Sequence, residues 1–326
     1  MATVQTIAGP VDSADLGRTL AHEHICSGMA GMERVGMFDL DDVTRRAVAA
    51  LNNAKGVGIQ TVIDCSPLDL GRQATLFERL ARESSSNIIA STGCYRYVPS
   101  SYAGWNIETL ANYFLHDLRV GMEGTQVRAG VVKISWDYEY RVDDGPHAPR
   151  ALLEKTARAA ALAAKTAGVP ILVHHRCEDR TGHRVLDLFE EEGVDLRAVT
   201  VGHCNDSLDP EYVIGLARRG ATVGLDRYNP NRSPAELERR AQLALDVIKA
   251  GYASHMTLSH DRAAFSINGG PATGGPRPED PDCYVRVSQQ EIPWLLAHGA
   301  TEADIQAAQV SSVRAMFEAA GAMKRG

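Results

Sequence analysis

Short, continuous apolar runs alternate along this chain with longer stretches in which apolar positions recur every three or four residues. Eight runs read as strands: Arg18–Glu23, Thr61–Cys65, Asn87–Thr92, Ala129–Ser135, Pro170–His174, Ala198–His203, Ala221–Asp226 and His255–Ser259. Most are rich in Val and Ile and unbroken by polar residues, the pattern of strands buried on both faces of a parallel sheet. Between them the spacing predicts helices over Asp41–Lys55, Leu70–Arg82, Ile107–Val120, Pro149–Ala167, Gly182–Glu191, Pro210–Arg219 and Ala235–Ala250. Pro149 and Pro210 suit a first helical turn, where an N–H has no partner to lose. The segments KGVGI, KTAGV, EEGV, RRGA and KAGY each set a glycine just past a helix end. Two more helices, Gln289–His298 and Glu302–Ala320, finish the chain.

Eight strand–helix units without a break in composition predict an α/β fold with one closed (β/α)8 barrel, a TIM barrel, as a single domain over residues 1–326. A doubly wound open sheet is the alternative. It advertises a glycine-rich phosphate loop after its first strand; here that strand runs into HEHICSGMAG, which has no GxGxxG. The segment 265–284, centred on INGGPATGGPRPEDPD, follows the last strand and is expected to be a substrate-binding loop.

Composition narrows the setting. The 34 Lys+Arg against 41 Asp+Glu give a net charge of −7 with no basic block, so nucleic acid is not an expected partner. No apolar stretch approaches the roughly 18 residues of a membrane span, and the first residues carry no basic-then-apolar leader, so neither a membrane nor secretion is expected. The 6 cysteines are scattered without a CxxC pair, which points to free thiols in a reducing cytoplasm.

Barrel chemistry gathers at the C-terminal ends of strands. Strand one ends His22-Glu23-His24, and residues two apart on a strand share a face, so both imidazoles can enter the barrel mouth. Strand four carries Lys133 inside an apolar run, strand five ends at His174, strand six at His203, and strand eight leads into Asp261. A buried lysine loses its charge readily, and its neutral amine can add carbon dioxide to become an anionic oxygen donor. Four imidazoles, one such carbamate and one aspartate make a two-metal hydrolytic site. These donors accept Zn first among the candidates, or Mn, Co or Fe. His175, beside His174, is the alternative ligand, but the spacing from Pro170 and alternation, which sends the next residue away from the mouth, favour His174. Asp64 is expected to support the ligands, Glu23 to be structural, and His260 to pack or cap. Ordinary local roles are expected for His116, His147, His183, His255 and His298. Trp136 reads as packing or pocket lining. Cys26, Cys94 and Cys204 near the rim are not expected to ligate.

The segments TLAHEHI (19–25), RAGVVKIS (128–135), VPILVH (169–174), VTVGHCND (199–206), VGLDRY (223–228) and MTLSHD (256–261) occur in order along the whole chain. With them the sequence resembles the phosphotriesterase family of the amidohydrolase superfamily. The resemblance implies a (β/α)8 barrel with a binuclear metal centre: His22, His24 and Asp261 on the buried metal, His174 and His203 on the exposed one, and carbamylated Lys133 and a hydroxide bridging them. One branch of the family has Glu in place of the lysine; this chain keeps Lys133. Tyr95 in STGCYRY and Arg227 in GLDRY are similar to the lactonase-leaning branch, whereas DRAAFSINGGPATGGP departs from both branches.

The resemblance implies a metal-dependent hydrolase, a lactonase with side activity on phosphotriesters or aryl esters, and a homodimer. Asp261 would take the proton from the attacking hydroxide, Tyr95 would orient hydroxide or substrate, and Arg227 with Asp206 would assist behind the ligands. A phosphotriesterase proper, or another ester or amide hydrolase, is the alternative. Two other classes stand beside these: a barrel that only binds ligands, and a metal-free aldolase with Lys133 as Schiff base, which leaves the histidines unexplained.

Overall fold

The structure is a computed structural model that describes residues 1–95, 99–136, 149–207, 209–228, 232–267 and 276–324; His147 and the centre of the expected substrate loop, 268–275, lie outside these. An antiparallel hairpin of β1 (Thr3–Thr6) and β2 (Gly9–Asp12) comes first. The next strands are β3 (Thr19–Ser27), β4 (Thr61–Asp64), β5 (Asn87–Ile89), β6 (Ser91–Cys94) and β7 (Val131–Trp136). They are followed by β8 (Ile171–His175), β9 (Val199–Val201), β10 (Thr222–Leu225), β11 (Met256–Leu258) and β12 (Ala263–Ser266). With β5 and β6 taken as one strand parted at Ala90, β3 to β11 are eight parallel strands that pair in chain order. This is the (β/α)8 barrel.

The circle closes between the end of β11 and β3. The His22 N–H donates to Ser259 Oγ (3.1 Å), the Asp261 N–H to the His22 carbonyl (3.2 Å), and the His24 N–H to the Arg262 carbonyl (2.8 Å). Strand β12 then pairs parallel with the far half of β3. Outside the sheet run α1 (Leu40–Gly56), α2 (Ala74–Glu83), α3 (Ile107–Arg119), α4 (Pro149–Ala167), α5 (Gly182–Glu191), α6 (Pro210–Arg218) and α7 (Pro234–Lys249). After them come α8 (Ile292–Ala297), α9 (Glu302–Gln306) and α10 (Ser312–Met323), the first preceded and the last two joined by a π-helical turn. Local chemistry starts them: Asp39 caps α1 by accepting two backbone N–H groups, and Ser233 with Glu236 forms a reciprocal capping box on α7. The strand residues Ile63, Ile89, Val131, Ile134, Val199 and Val223 are fully buried, so the sheet meets no water on either face.

Four expectations need correction. The first barrel strand does not stop at Glu23 but runs through His24 to Ser27, because β12 supplies a neighbour for its far half. That same strand takes Phe265 and Ser266 out of the expected loop. The run Asn87–Thr92 is not one strand; it breaks at Ala90 and ends at Cys94. The second helix starts at Ala74 rather than Leu70, since Gly71, at φ +86°, closes a separate 3-10 turn over Leu68–Leu70. The hairpin β1–β2 had no strong apolar signal and was not expected.

Gly93 stands opposite Lys133 in the β6–β7 pairing, at φ +115°, and a Cβ there would lie 2.0 Å from the Lys133 carbonyl oxygen. Both the backbone conformation and the close approach require glycine. Gly93→Ala is expected to lower unfolding free energy by at least about 1–3 kcal/mol, the usual cost of forcing such a conformation on a side chain. Urea denaturation checks this, and an unchanged midpoint and slope would contradict the close approach.

Candidate metal centre

Strand β3 places His22 and His24 on one face, and both are buried. The His22 Nδ1–H donates to Asp226 Oδ2 (2.6 Å), which leaves Nε2 as the lone-pair nitrogen facing the barrel axis. His24 Nδ1 meets Ser66 Oγ (2.8 Å), and His24 Nε2 lies 3.0 Å from Asp261 Oδ1. Asp64 sits behind that pair, accepting the backbone N–H groups of Ile25 and Ser66. The expected support from Asp64 therefore reaches His24 through Ser66.

On the opposite side, His203 Nε2 and His174 Nδ1 face each other at 2.6 Å. Asp226 Oδ1 accepts both the His203 backbone N–H (2.9 Å) and its Nδ1–H (2.8 Å). Between the two sets lies Lys133, only 1% exposed, with Nζ 3.1 Å from His22 Nε2. The residues at 22, 24, 133, 174, 203 and 261 thus converge on one rim. Donor atoms of His22, His24 and Asp261 lie within 4.8 Å of one another, as do those of His22, His203 and Asp226.

Electrostatics suits metal ligands. Burial, joined by the Lys133 charge, holds His22 below the ordinary histidine range against the pull of Asp226. Burial and then Arg227 hold His203 well below it. Burial pushes the Lys133 ammonium down from the usual lysine range, against the opposing influence of Cys65, Asp226 and Asp261. Burial by itself raises a carboxylic acid, but Arg227, His24 and His203 outweigh it and keep Asp261 well below the usual range. Imidazoles that resist protonation, an amine that gives up its proton more readily than usual and an ionised carboxylate suit a divalent cation. These donors fit a divalent metal ion.

His203 at φ +60° and Asp261 at φ +53° both adopt the left-handed conformation that residues other than glycine seldom take. Such strain collects at functional sites, where the surroundings enforce it. Here the enforcing contacts are the Asp226 hold on the His203 N–H and the strand-closing bond from the Asp261 N–H.

The accessory residues are also in reach. Arg227 Nε lies 2.8 Å from Asp261 Oδ2 and 2.9 Å from His203 Nδ1. Asp206 lies 3.8 Å from Arg227 and is also bound by Arg240 (2.6 Å) and Arg232 (3.2 Å). The Tyr95 ring stands edge-on to His174, centroids 4.8 Å apart, while its backbone N–H donates to Asp69. His175 points away from the mouth and bonds the Gly202 carbonyl and Tyr212. His260 and Glu23 bond each other at 2.6 Å, and Glu23 also accepts the His260 and Arg262 backbone N–H groups. Trp136 is buried.

Sequence reasoning missed Asp226, Ser66 and Ser259. Asp226 carried a signal, as an acid at the end of an otherwise apolar strand in VGLDRY. Its carboxylate fits because Gly202 and Gly224 leave room: a Cβ at either position would lie 3.1 or 2.9 Å from Asp226 Oδ2.

The model of the Phosphotriesterase family matches residues 2–317. An aryldialkylphosphatase of Saccharolobus solfataricus is 30% identical over 298 residues, covering 90% of this chain and 92% of that protein. A phosphotriesterase homology protein of Mycobacterium tuberculosis is 32% identical over 334 residues, covering 98% and 99%. An N-acetyltaurine hydrolase of Rattus norvegicus is 23% identical over 304 residues, covering 79% and 83%.

Asp226→Ala removes the acceptor that orients two of the four imidazoles. The expected result is a folded chain whose metal affinity falls about 10–100-fold, as when such outer partners are lost elsewhere. Competition with a chelator of known affinity, beside circular dichroism, reads both.

Proposed function

The chain belongs to the phosphotriesterase family, a family of metal-dependent hydrolases with (β/α)8 barrels, and from that premise we propose that it is a binuclear metal-dependent hydrolase whose main substrates are lactones. The single observation that carries this is the convergence of His22, His24, His174, His203 and Asp261 around the buried amine of Lys133. His22, His24 and Asp261 would hold one ion, and His174 and His203 the other. The buried Lys133 Nζ, once deprotonated, would add carbon dioxide, release a proton and offer a carbamate oxygen as a further ligand. Zinc is the first candidate, with Mn, Co or Fe also compatible with these donors.

When bound, the two ions polarise a carbonyl or phosphoryl oxygen and make water a nucleophile near neutral pH. The rest falls to side chains. Asp261 is held ionised by Arg227, so it can accept the proton of the attacking water and hand it to the leaving oxygen. The Arg227 guanidinium keeps Oδ2 in place, and Asp206 with Arg240 and Arg232 anchors that guanidinium from behind. Tyr95 stands over His174 at the mouth, where its ring would position the scissile carbonyl. Tyr95 and Arg227 together support a lactonase. The relative named aryldialkylphosphatase supports a side activity on phosphotriesters, and the one named N-acetyltaurine hydrolase supports an amide substrate as the second reading.

A single domain over residues 1–326, a homodimer, a cytoplasmic setting for the 6 free cysteines and a substrate-binding role for 265–284 belong to the same proposal. No helix of the described residues is long and apolar enough to cross a membrane.

Metal-reconstituted protein is expected to bind about two ions per chain and to hydrolyse γ- or δ-lactones faster than paraoxon-like triesters, aryl esters or N-acyl amines. Strong preference for a triester or an amide over every lactone overturns the substrate assignment. Lys133→Ala is expected to lose activity more than about a hundredfold, beyond the usual cost of an outer partner, together with metal. Full metal and full rate in that variant would sink the two-metal scheme.

A further inference from the structure

A second cluster of chemistry-bearing side chains lies beneath the rim and takes no part in the site above. His175 ends β8, Cys177 opens the 3-10 turn Cys177–Asp179, and Cys204 opens the 3-10 turn Cys204–Asp206; the two turns pack against each other. Cys177 and Cys204 have no measurable exposure, and the Nε2 and Sγ atoms of this trio all lie within 4.8 Å of one another. The Gly202 carbonyl can only accept, so the His175 Nδ1–H at 2.5 Å donates to it and Nε2 carries the lone pair. That nitrogen lies 3.1 Å from the Tyr212 hydroxyl and 3.5 Å from Cys177 Sγ. Cys204 Sγ is 3.1 Å from the Val201 carbonyl oxygen, a contact that suits a thiol or disulfide sulfur and would repel a metal-bound thiolate.

We propose that Cys177 and Cys204 form a reversible dithiol–disulfide couple that a small peroxide oxidises, and that the disulfide slows the adjoining hydrolytic site. The Cys177 sulfur attacks one peroxide oxygen, the S–H and O–O bonds break, and the thiol proton leaves with the displaced hydroxide as water, giving a sulfenic acid. The Cys204 sulfur then attacks the Cys177 sulfur; the S–O bond breaks and a second water leaves with the Cys204 proton. Two thiols and one peroxide give one disulfide and two waters, with two electrons passing from sulfur to oxygen. Glu178, Asp179 and Arg180, which follow Cys177, are exposed, so a peroxide would reach Cys177 by opening of this turn.

The link to the site is covalent. Cys204 follows His203, whose strained backbone is set by Asp226, and Cys177 lies three residues after His174. Closing the sulfurs to the roughly 2.05 Å of a disulfide draws the two turns together and moves the His203 backbone out of register with its partners. The effect on rate rests on the proposed metal centre; the cross-link does not.

The experiment treats metal-loaded full-length protein with hydrogen peroxide, then with reductant. Intact mass and disulfide-mapped peptides are measured beside the rate on the best-hydrolysed member of the substrate panel. A loss of 2 hydrogens per chain, a Cys177–Cys204 peptide, and a severalfold fall in rate, all reversed by reductant, are expected. Cys177→Ser and Cys204→Ser should keep both mass and rate. Absence of the cross-linked peptide overturns the proposal. So does a cross-link without a change in rate, an equal loss of rate in the serine variants, or a third metal ion that shields these thiols from peroxide. If no panel substrate is turned over, the mass readout alone decides the couple, and the failure belongs to the hydrolase reading.

Discussion

One buried carboxylate organises this barrel mouth. Asp226 accepts the Nδ1–H of His22 through one oxygen and, through the other, the Nδ1–H and backbone N–H of His203. A carboxylate without water is costly unless its lone pairs are filled. Here three donors fill them, and the imidazole of His22 and the guanidinium of Arg227 overcome burial to keep it ionised. In return Asp226 fixes the tautomer of both rings and aims Nε2 of each at the axis. His22 belongs with His24 and Asp261, and His203 with His174, so a single side chain holds the two halves of the proposed centre in register.

The surrounding charges follow the same economy. Arg227 meets Asp261, Asp206 meets Arg240 and Arg232, and Glu23 meets His260 and two backbone N–H groups. Deeper in the wall, Arg72 meets Asp117 at 2.9 Å and the Ser91 carbonyl at 2.9 Å. Buried ions of this kind add little net stability. What they supply is position: His22, His24, His203 and Asp261 each have an atom fixed from behind, so these donors are aligned in advance.

The barrel and most of its rim were legible in the sequence. Unbroken Val/Ile runs mark strands buried on both faces, and the polar residue that interrupts such a run, Lys133 or His174, can only be there for a site or a partner. Features that depend on spatial neighbours were less legible. Nothing local told that β3 would continue past His24, because its extension exists only when β12 lies beside it. Asp226 stands out only as an acid at the end of an apolar strand, since its value comes from two histidines 204 and 23 positions away. Gly93 and Gly202 let a carbonyl or carboxylate distant in sequence come close, a role no local pattern marks.

The barrel closes at the place where the donors meet. Asp261 and His24 are 237 positions apart in sequence, and their backbones lie on the two segments whose pairing completes the circle. A chain emerging from synthesis therefore carries most of its histidines long before it can assemble the set. Contacts of such long sequence separation form late in folding, after the entropy of closing the chain has been overcome. Tight uptake of an ion at the proposed site between first and last strands would then be an assembly signal, since only a molecule that has joined its two ends could retain it.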